Sequence, residues 1–245
     1  MNKEVGSTRT SVVLLYHRLG FPKLSSLVAG QYVAPVLFNS QLNYLFVCGW
    51  QCESLSDILV DNKPQQDRFC VTFDDGYLSV YEHAYPALAA RNMTATVYVV
   101  ADSVGGINAW DRKAGDYEEP MMSAAQVREM SEAGFEIGSH TLTHPHLTDL
   151  DDNQLKQEII DSKHKLEDIV GKEVVSFSYP YGDCDSRVIS AVMDAGYKNA
   201  VSTKLGLVYN SSEFEVPRVN VRWNAVTPLL MRKIRRARQA SGLSK

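Results

Sequence analysis

Cysteine is scarce in this 245-residue sequence: four residues, at 48, 52, 70 and 184, with no C-x-x-C pair. That excludes a disulfide-stapled scaffold and makes reduced thiols the expected state. Long apolar runs are missing too. The first ten residues are polar and the first apolar stretch, Val12 to Tyr16, has five residues. Neither a signal peptide nor a spanning helix is expected, and the expected compartment is the cytoplasm. Positive charge falls short of negative, 25 Lys and Arg against 29 Asp and Glu, for a net charge of −4. Nucleic-acid domains are usually basic, so no nucleic-acid partner is expected. No linker, low-complexity run or long repeat divides the chain, and 245 residues lie within the size of one α/β barrel, about 250. Residues 1–245 therefore read as one domain, and nothing in them reports oligomeric state.

What is present is ordinary globular composition, 44% hydrophobic and 22% charged. The cations are unevenly placed: Arg232, Lys233, Arg235, Arg236, Arg238 and Lys245 occupy the last fifteen residues with no acid, leaving 19 bases against 29 acids, a net of −10, over residues 1–230. Leu229, Leu230, Ile234 and Ala237 recur there at roughly helical spacing, so a final packed helix with a solvated basic face is expected. Contact with an anionic membrane surface is the sharper alternative.

Strand-like and helix-like segments alternate. Val12–Tyr16 and Phe69–Phe73 read as buried strands, with a helix suggested by Leu42–Val47 between them. Tyr77–Arg91 reads as a helix leading into the β-branched run Thr94–Val100. Met122–Ala133, with Ser123 and Gln126 spaced as a capping box, leads into Phe135–Ile137. A longer helix through Leu155, Ile159, Leu166 and Val170 stops at Gly171, and Ser186–Ala195 precedes Tyr197–Ser202. This alternation favours an α/β fold with a parallel sheet or barrel. Residues 103–121 are the longest expected loop, the kind of segment that tends to be functional.

Three elements carry the chemistry. Thr72-Phe73-Asp74-Asp75-Gly76 ends an apolar run with adjacent carboxylates; the pair invites a cation or proton, although Asp-Gly is also common turn chemistry. Gly138-Ser139-His140-Thr141-Leu142-Thr143-His144 spaces two imidazoles four residues apart. If a helix starts there, both fall on one face, as metal-ligand pairs need. Two His and one Asp would leave coordination positions open for water and substrate. His83, His146 and His164 read as surface or hydrogen-bonded structural residues. The third element, Phe177-Ser178-Tyr179-Pro180-Tyr181-Gly182, is by itself only a turn.

In this order, the three elements resemble the signatures of the polysaccharide deacetylase family, carbohydrate esterase family 4, over nearly the whole chain. The resemblance implies a distorted (β/α)7 barrel and a metal-dependent hydrolase that removes acetyl groups from the amide nitrogens of an N-acetylated glycan. It implies Asp75, His140 and His144 as metal ligands, Asp74 as general base, and the Tyr181 backbone N–H as an oxyanion donor beside Pro180 at the substrate. Imidazole with carboxylate suits zinc, though other first-row divalent ions accept the same ligands. Two departures stand out. Ser178 occupies the position of the family's base-orienting Arg, and no His follows His164 to supply the usual general acid.

Leu14-Leu15-Tyr16-His17-Arg18 resembles a subgroup similar to biofilm-polysaccharide N-deacetylases, in which an N-terminal Tyr-His element supplies the acid in a circularly permuted arrangement. His17 is then the expected acid, the alternative being a rim His that caps a strand. Glu215-Val216-Pro217-Arg218-Val219 resembles another element of that subgroup, so Arg218 either reaches Asp74 or makes a surface ion pair. Trp110 and Asp111 are expected as substrate contacts through stacking and hydroxyl bonding, with Trp110 as a loop anchor the alternative. The rival functions are hydrolysis of a non-sugar amide and a non-catalytic sugar-binding domain.

Overall fold

A computed structural model describes residues 9–60, 66–113, 115–209 and 211–243. Residues 1–8 of the polar N-terminus and Lys245 of the basic tail lie outside the described residues. Among the described residues, ten strands alternate with helices. They are β1 (Ser11–Tyr16), β2 (Arg18–Leu19), β3 (Tyr32–Val33), β4 (Gln51–Cys52), β5 (Arg68–Phe73), β6 (Thr96–Val99), β7 (Glu136–Ser139), β8 (Ser176–Ser178), β9 (Asn199–Val201) and β10 (Val219–Asn220). The helices are α1 (Pro35–Val47), α2 (Leu55–Val60), α3 (Tyr85–Ala89), α4 (Ala109–Lys113), α5 (Ala124–Glu132), α6 (Asp152–Val170), α7 (Ser186–Asp194) and α8 (Thr227–Ala240).

The main sheet runs β10-β1-β5-β6-β7-β8-β9, every ladder parallel, with β4 on the first two residues of β5. Val216 bridges Val201 in the same sense, accepting from Ser202 N–H at 2.8 Å and donating to the Ala200 carbonyl at 2.9 Å. Residues 216–220 thus touch both β9 and β1, and the sheet curls back on itself through a one-residue bridge. The result is a distorted barrel of the kind expected. Because all ladders are parallel, the C-terminal strand ends share one rim, where such barrels collect their chemistry.

Strand parity divides the core in two. Val12, Leu14, Tyr16, Phe69, Val71, Phe73, Val97 and Val99 belong to the larger cluster, under the helices, whereas Val13, Cys70, Tyr98, Val201 and Val216 form a small separate cluster with Leu55 and Ile58 of α2. Both faces of β1 and β5 are therefore covered, which is why they read as continuous apolar runs. Gly138 is required beside that cluster, because a Cβ there would lie 2.5 Å from Tyr98 Cδ1.

Local signals account for most helix ends. Ser123 and Asp151 form capping boxes with Gln126 and Gln154, and Asp185 caps α7 through Val188 N–H. Tyr77–Arg91 is not one regular helix: Val80–Ala84 is a π-turn running into α3. Pro86 in the first turn of α3 has no N–H to donate back, which breaks the i to i−4 ladder there. Residues 103–121 hold the short helix α4 and antiparallel bridges Ile107–Pro120 and Tyr77–Met121. The basic tail is the packed helix α8, with Leu230, Ile234 and Ala237 buried. No helix among the described residues is long and apolar enough to cross a membrane.

Candidate active site

Asp74, Asp75, His140, His144, Ser178 and Tyr181 all leave the C-terminal ends of strands, and His17 follows β1 directly. Among the described residues, four of the five non-glycine residues with positive φ sit here: Asp75 at 77°, Thr141 at 70°, His144 at 64° and Tyr181 at 60°. Each such residue costs of the order of 1–3 kcal/mol unless its surroundings impose it, and clustered strain of this kind marks functional sites.

The two histidines do not share a helix face, as their spacing suggested. The chain from His140 to His144 is an irregular loop, with left-handed residues at Thr141 and His144. It is pinned from α6: Glu158 accepts from the Leu142 and Thr143 N–H groups, both at 2.9 Å, and from Thr143 Oγ1 at 2.6 Å. The Thr141 hydroxyl accepts from His144 N–H at 3.0 Å. A folded-back loop, rather than a helical turn, brings the rings together.

Their Nε2 atoms converge on one oxygen, Asp75 Oδ1, at 3.3 Å from His140 and 3.4 Å from His144, and all three residues are buried. His140 Nδ1 donates to the Ser178 carbonyl at 2.7 Å, so in the neutral ring Nε2 carries the lone pair and faces a carboxylate. Acceptor against acceptor is tolerable only with a proton or cation between them. A second imidazole aimed at the same oxygen makes a divalent cation the economical answer, and three N/O donors with open positions fit one. Burial would raise Asp75, but the two imidazoles facing it, when protonated, outweigh burial and hold it well below the usual carboxylate range. Burial lowers His140, yet Asp75 and Asp74 outweigh it; at His144 burial prevails and the pKa falls.

Asp74 faces a different partner. Arg218, 1% exposed, donates from its two terminal nitrogens to Asp74 Oδ1 and Oδ2, each at 2.7 Å. The same guanidinium donates to Thr72 Oγ1 at 3.2 Å, Ser178 Oγ at 3.1 Å and the Ser202 carbonyl at 2.9 Å. All five N–H donors are thereby used. Ser178 adds a bond to Asp74 Oδ2 at 3.2 Å. The small residue at 178 leaves room for a cation that arrives from a distant strand. Burial pushes Asp74 up, but the Arg218 charge overrides it and keeps the carboxyl ionised. His17 lies within electrostatic range of Asp74, Asp75, Arg218 and His140, and burial lowers its pKa. Its Nδ1 is buried without a hydrogen-bond partner.

Of the residues expected as substrate contacts, Asp111 and Pro180 are buried and Trp110 lines a cavity. Asp111 is buried, and its Oδ2 accepts from Arg18, Tyr77 and Asn108 Nδ2, the last at 2.6 Å, so one carboxylate oxygen is committed inside the protein. Pro180 is also buried and starts the 3-10 turn Pro180–Gly182. Trp110 stacks on His144 at 4.6 Å and 22° and lines a cavity of about 540 Å³ with Ile107, Leu142, His146 and Tyr181. The sequence reading missed Arg18, buried beside His17 and fixing the 103–121 segment through Asp111. An arginine directly after a strand-end His was its only signal.

Residues 61–200, more than half the chain, match the sequence profile of the polysaccharide deacetylase family. The chain belongs to that family. Among its relatives, YxkH of Bacillus subtilis (strain 168) is 29% identical over 173 residues, covering 69% of this chain and 58% of its own length. The chain thus spans well under two thirds of that relative. The poly-β-1,6-N-acetyl-D-glucosamine N-deacetylase of Staphylococcus aureus (strain MRSA252) is 25% identical over 209 residues, covering 80% of this chain and 69% of its own length. The deacetylase PplD of Streptococcus pyogenes, solved in complex with acetate, superposes with a TM-score of 0.79 at 22% identity, over 92% of this chain and 98% of its own. At that identity the likeness establishes a shared fold. The buried Asp75, His140 and His144 group is compatible with a divalent ion.

Proposed function

We propose that this chain is a metal-dependent N-deacetylase of an N-acetylated glycan, with zinc at Asp75, His140 and His144. One observation carries the reading: three buried donor atoms converge beside a second carboxylate that Arg218 holds apart from them. The N-deacetylase relative in Staphylococcus aureus supports an N-acetylglucosamine polymer as substrate class.

A bound divalent ion would supply the Lewis acidity that eases deprotonation of water and polarises the amide carbonyl. The chain's own residues supply the rest. Asp74, ionised and oriented by Arg218, accepts the proton of the attacking water. Tyr181 lies in the first turn of a 3-10 helix, where backbone N–H groups have no partner within the helix, and that donor serves the developing oxyanion. His17 donates the proton that lets the amine depart; Asp75 and Asp74 favour its imidazolium, but burial outweighs them and keeps its pKa below the ordinary value. Arg218 is a positioning residue in place of the arginine absent at 178, which removes the reason to read the domain as non-catalytic.

Acetate release from N-acetylglucosamine oligomers tests the reading. Asp74→Asn is expected to lose ~10²–10⁴-fold in turnover, the usual contribution of a general base, while still binding metal. Full activity of that variant would refute the assignment, and release only from small non-sugar amides would refute the substrate class.

A further inference from the structure

We propose that His146 and Asp183 act as a positioning pair for Tyr181, and through it for the metal ligand His144. The inference rests on the reading above that places Tyr181 and His144 in the deacetylation site.

Tyr181 stands at φ 60° and ψ −5°. A side-chain-bearing residue holds that conformation at a cost of roughly 1–2 kcal/mol, so neighbouring structure must enforce it. Part of the enforcement is in the backbone. Gly182, at φ 81°, packs so closely that a Cβ would lie 2.0 Å from Thr203 Oγ1. This fixes the chain beyond Tyr181 but does not aim its ring.

The ring is held from the opposite loop. The His146 imidazole lies parallel to it, with centroids 3.9 Å apart and planes inclined by 10°. His144 meets the ring edgewise at 4.7 Å and 69°. His146 is in turn fixed by Asp183, whose Oδ2 lies 2.5 Å from His146 Nδ1. Asp183 is two residues beyond Tyr181, so backbone, carboxylate, imidazole and phenol close a ring of contacts that staples the loop after β7 to the loop after β8.

The phenol oxygen is thereby kept 3.2 Å from His144 Nδ1. That nitrogen is the far side of the ring whose Nε2 faces Asp75. A partner on the outer nitrogen of a ligating histidine sets ring orientation and basicity, and losing one typically weakens metal binding about 10–100-fold. His146 and Asp183 are themselves half-exposed, 50% and 42% by side chain. As an ion pair they stabilise the fold little. Removing them should therefore show at the metal rather than in the melting temperature, a signature that a purely structural pair would not give.

The test is a Zn²⁺ titration of the metal-free full chain by calorimetry, with its melting temperature recorded alongside. Tyr181→Phe and His146→Ala are expected to bind Zn²⁺ about 10-fold or more weakly. The metal-free melting temperature should stay within about 2 °C of wild type, less than the shift from 1 kcal/mol in a chain of this size. His146→Phe, which keeps a stacking ring, should recover much of the affinity, and Asp183→Asn should fall between. Unchanged Zn²⁺ affinity in both Tyr181→Phe and His146→Ala would overturn the proposal. So would affinity losses in His146→Ala and Asp183→Asn that merely track a lowered melting temperature. A wild-type chain that binds Zn²⁺ but releases no acetate would sink the functional reading while the affinity series still decides this one.

Discussion

At the C-terminal end of β5, Asp74 meets a guanidinium on both oxygens; at the N-terminal end of β7, Glu136 meets only hydroxyls. Ser56 Oγ donates to Glu136 Oε2 at 3.3 Å, while Oε1 is buried without a partner, as is Thr96 Oγ1 nearby. Burial acts on both carboxyls in the same direction. At Asp74 the Arg218 charge reverses it and the pKa is lowered; at Glu136 no cation answers and the pKa is raised. The two ends of the curled sheet are thus built to different ends. The rim holds a fixed negative charge in a defined orientation, with strained residues around it. The floor carries a carboxyl that would be more comfortable neutral.

The largest effect is expected where the fork is removed. Arg218→Ala leaves Asp74 buried without a cation, which should cost about 3–5 kcal/mol in denaturant unfolding and most of the turnover, while the Asp75, His140 and His144 donors remain. Arg218→Lys keeps a charge but not the two-point geometry and should land between, and activity equal to wild type would show that orientation is unimportant. Ser178→Ala comes next. It deprives one Arg218 N–H of its acceptor and Asp74 of a donor, for about 1–3 kcal/mol and a smaller fall in turnover.

At the floor the sign reverses. The folded-state pKa of Glu136 lies above its unfolded value of about 4.5. Below the unfolded value both states are protonated and there is no penalty; as pH rises between the two values the penalty grows, and above the folded value it is complete. Glu136→Gln should therefore stabilise the chain at neutral pH, by an amount of order 1 kcal/mol, with the gain over wild type shrinking on acidification. Its amide can donate toward Thr96 Oγ1. A variant less stable at pH 7 than at pH 4, relative to wild type, would mean that Glu136 has a cationic partner after all.

The contrast also marks what could be read from sequence. Asp74 and Asp75 were legible because an apolar strand ending in two carboxylates is a local pattern. His140 and His144 were legible as a pair but for the wrong reason: the i, i+4 spacing suggested a helix, whereas left-handed residues at Thr141 and His144, held by Glu158 from α6, do the work. The Arg218 bond to Asp74 spans 144 residues. Spacing alone left it even with a surface ion pair, since only barrel closure through residues 216–220 decides it. Asp111 is tied through Oδ2 to Arg18, a pairing between the β1–β2 junction and a distant loop that no local pattern announces. Strand parity and caps are short-range and were mostly visible; charge pairing inside the curl is long-range and was not.

The central claim is that acetate release depends on a divalent ion held by Asp75, His140 and His144. Acetate should be measured from N-acetylglucosamine oligomers with the chain as isolated, after chelation, and after return of Zn²⁺, with Asp75→Asn in parallel. The account predicts that chelation abolishes release, that Zn²⁺ restores it to wild type, and that Asp75→Asn stays inactive at the same Zn²⁺ concentration. Undiminished release from the chelated chain, or from Asp75→Asn, would contradict it.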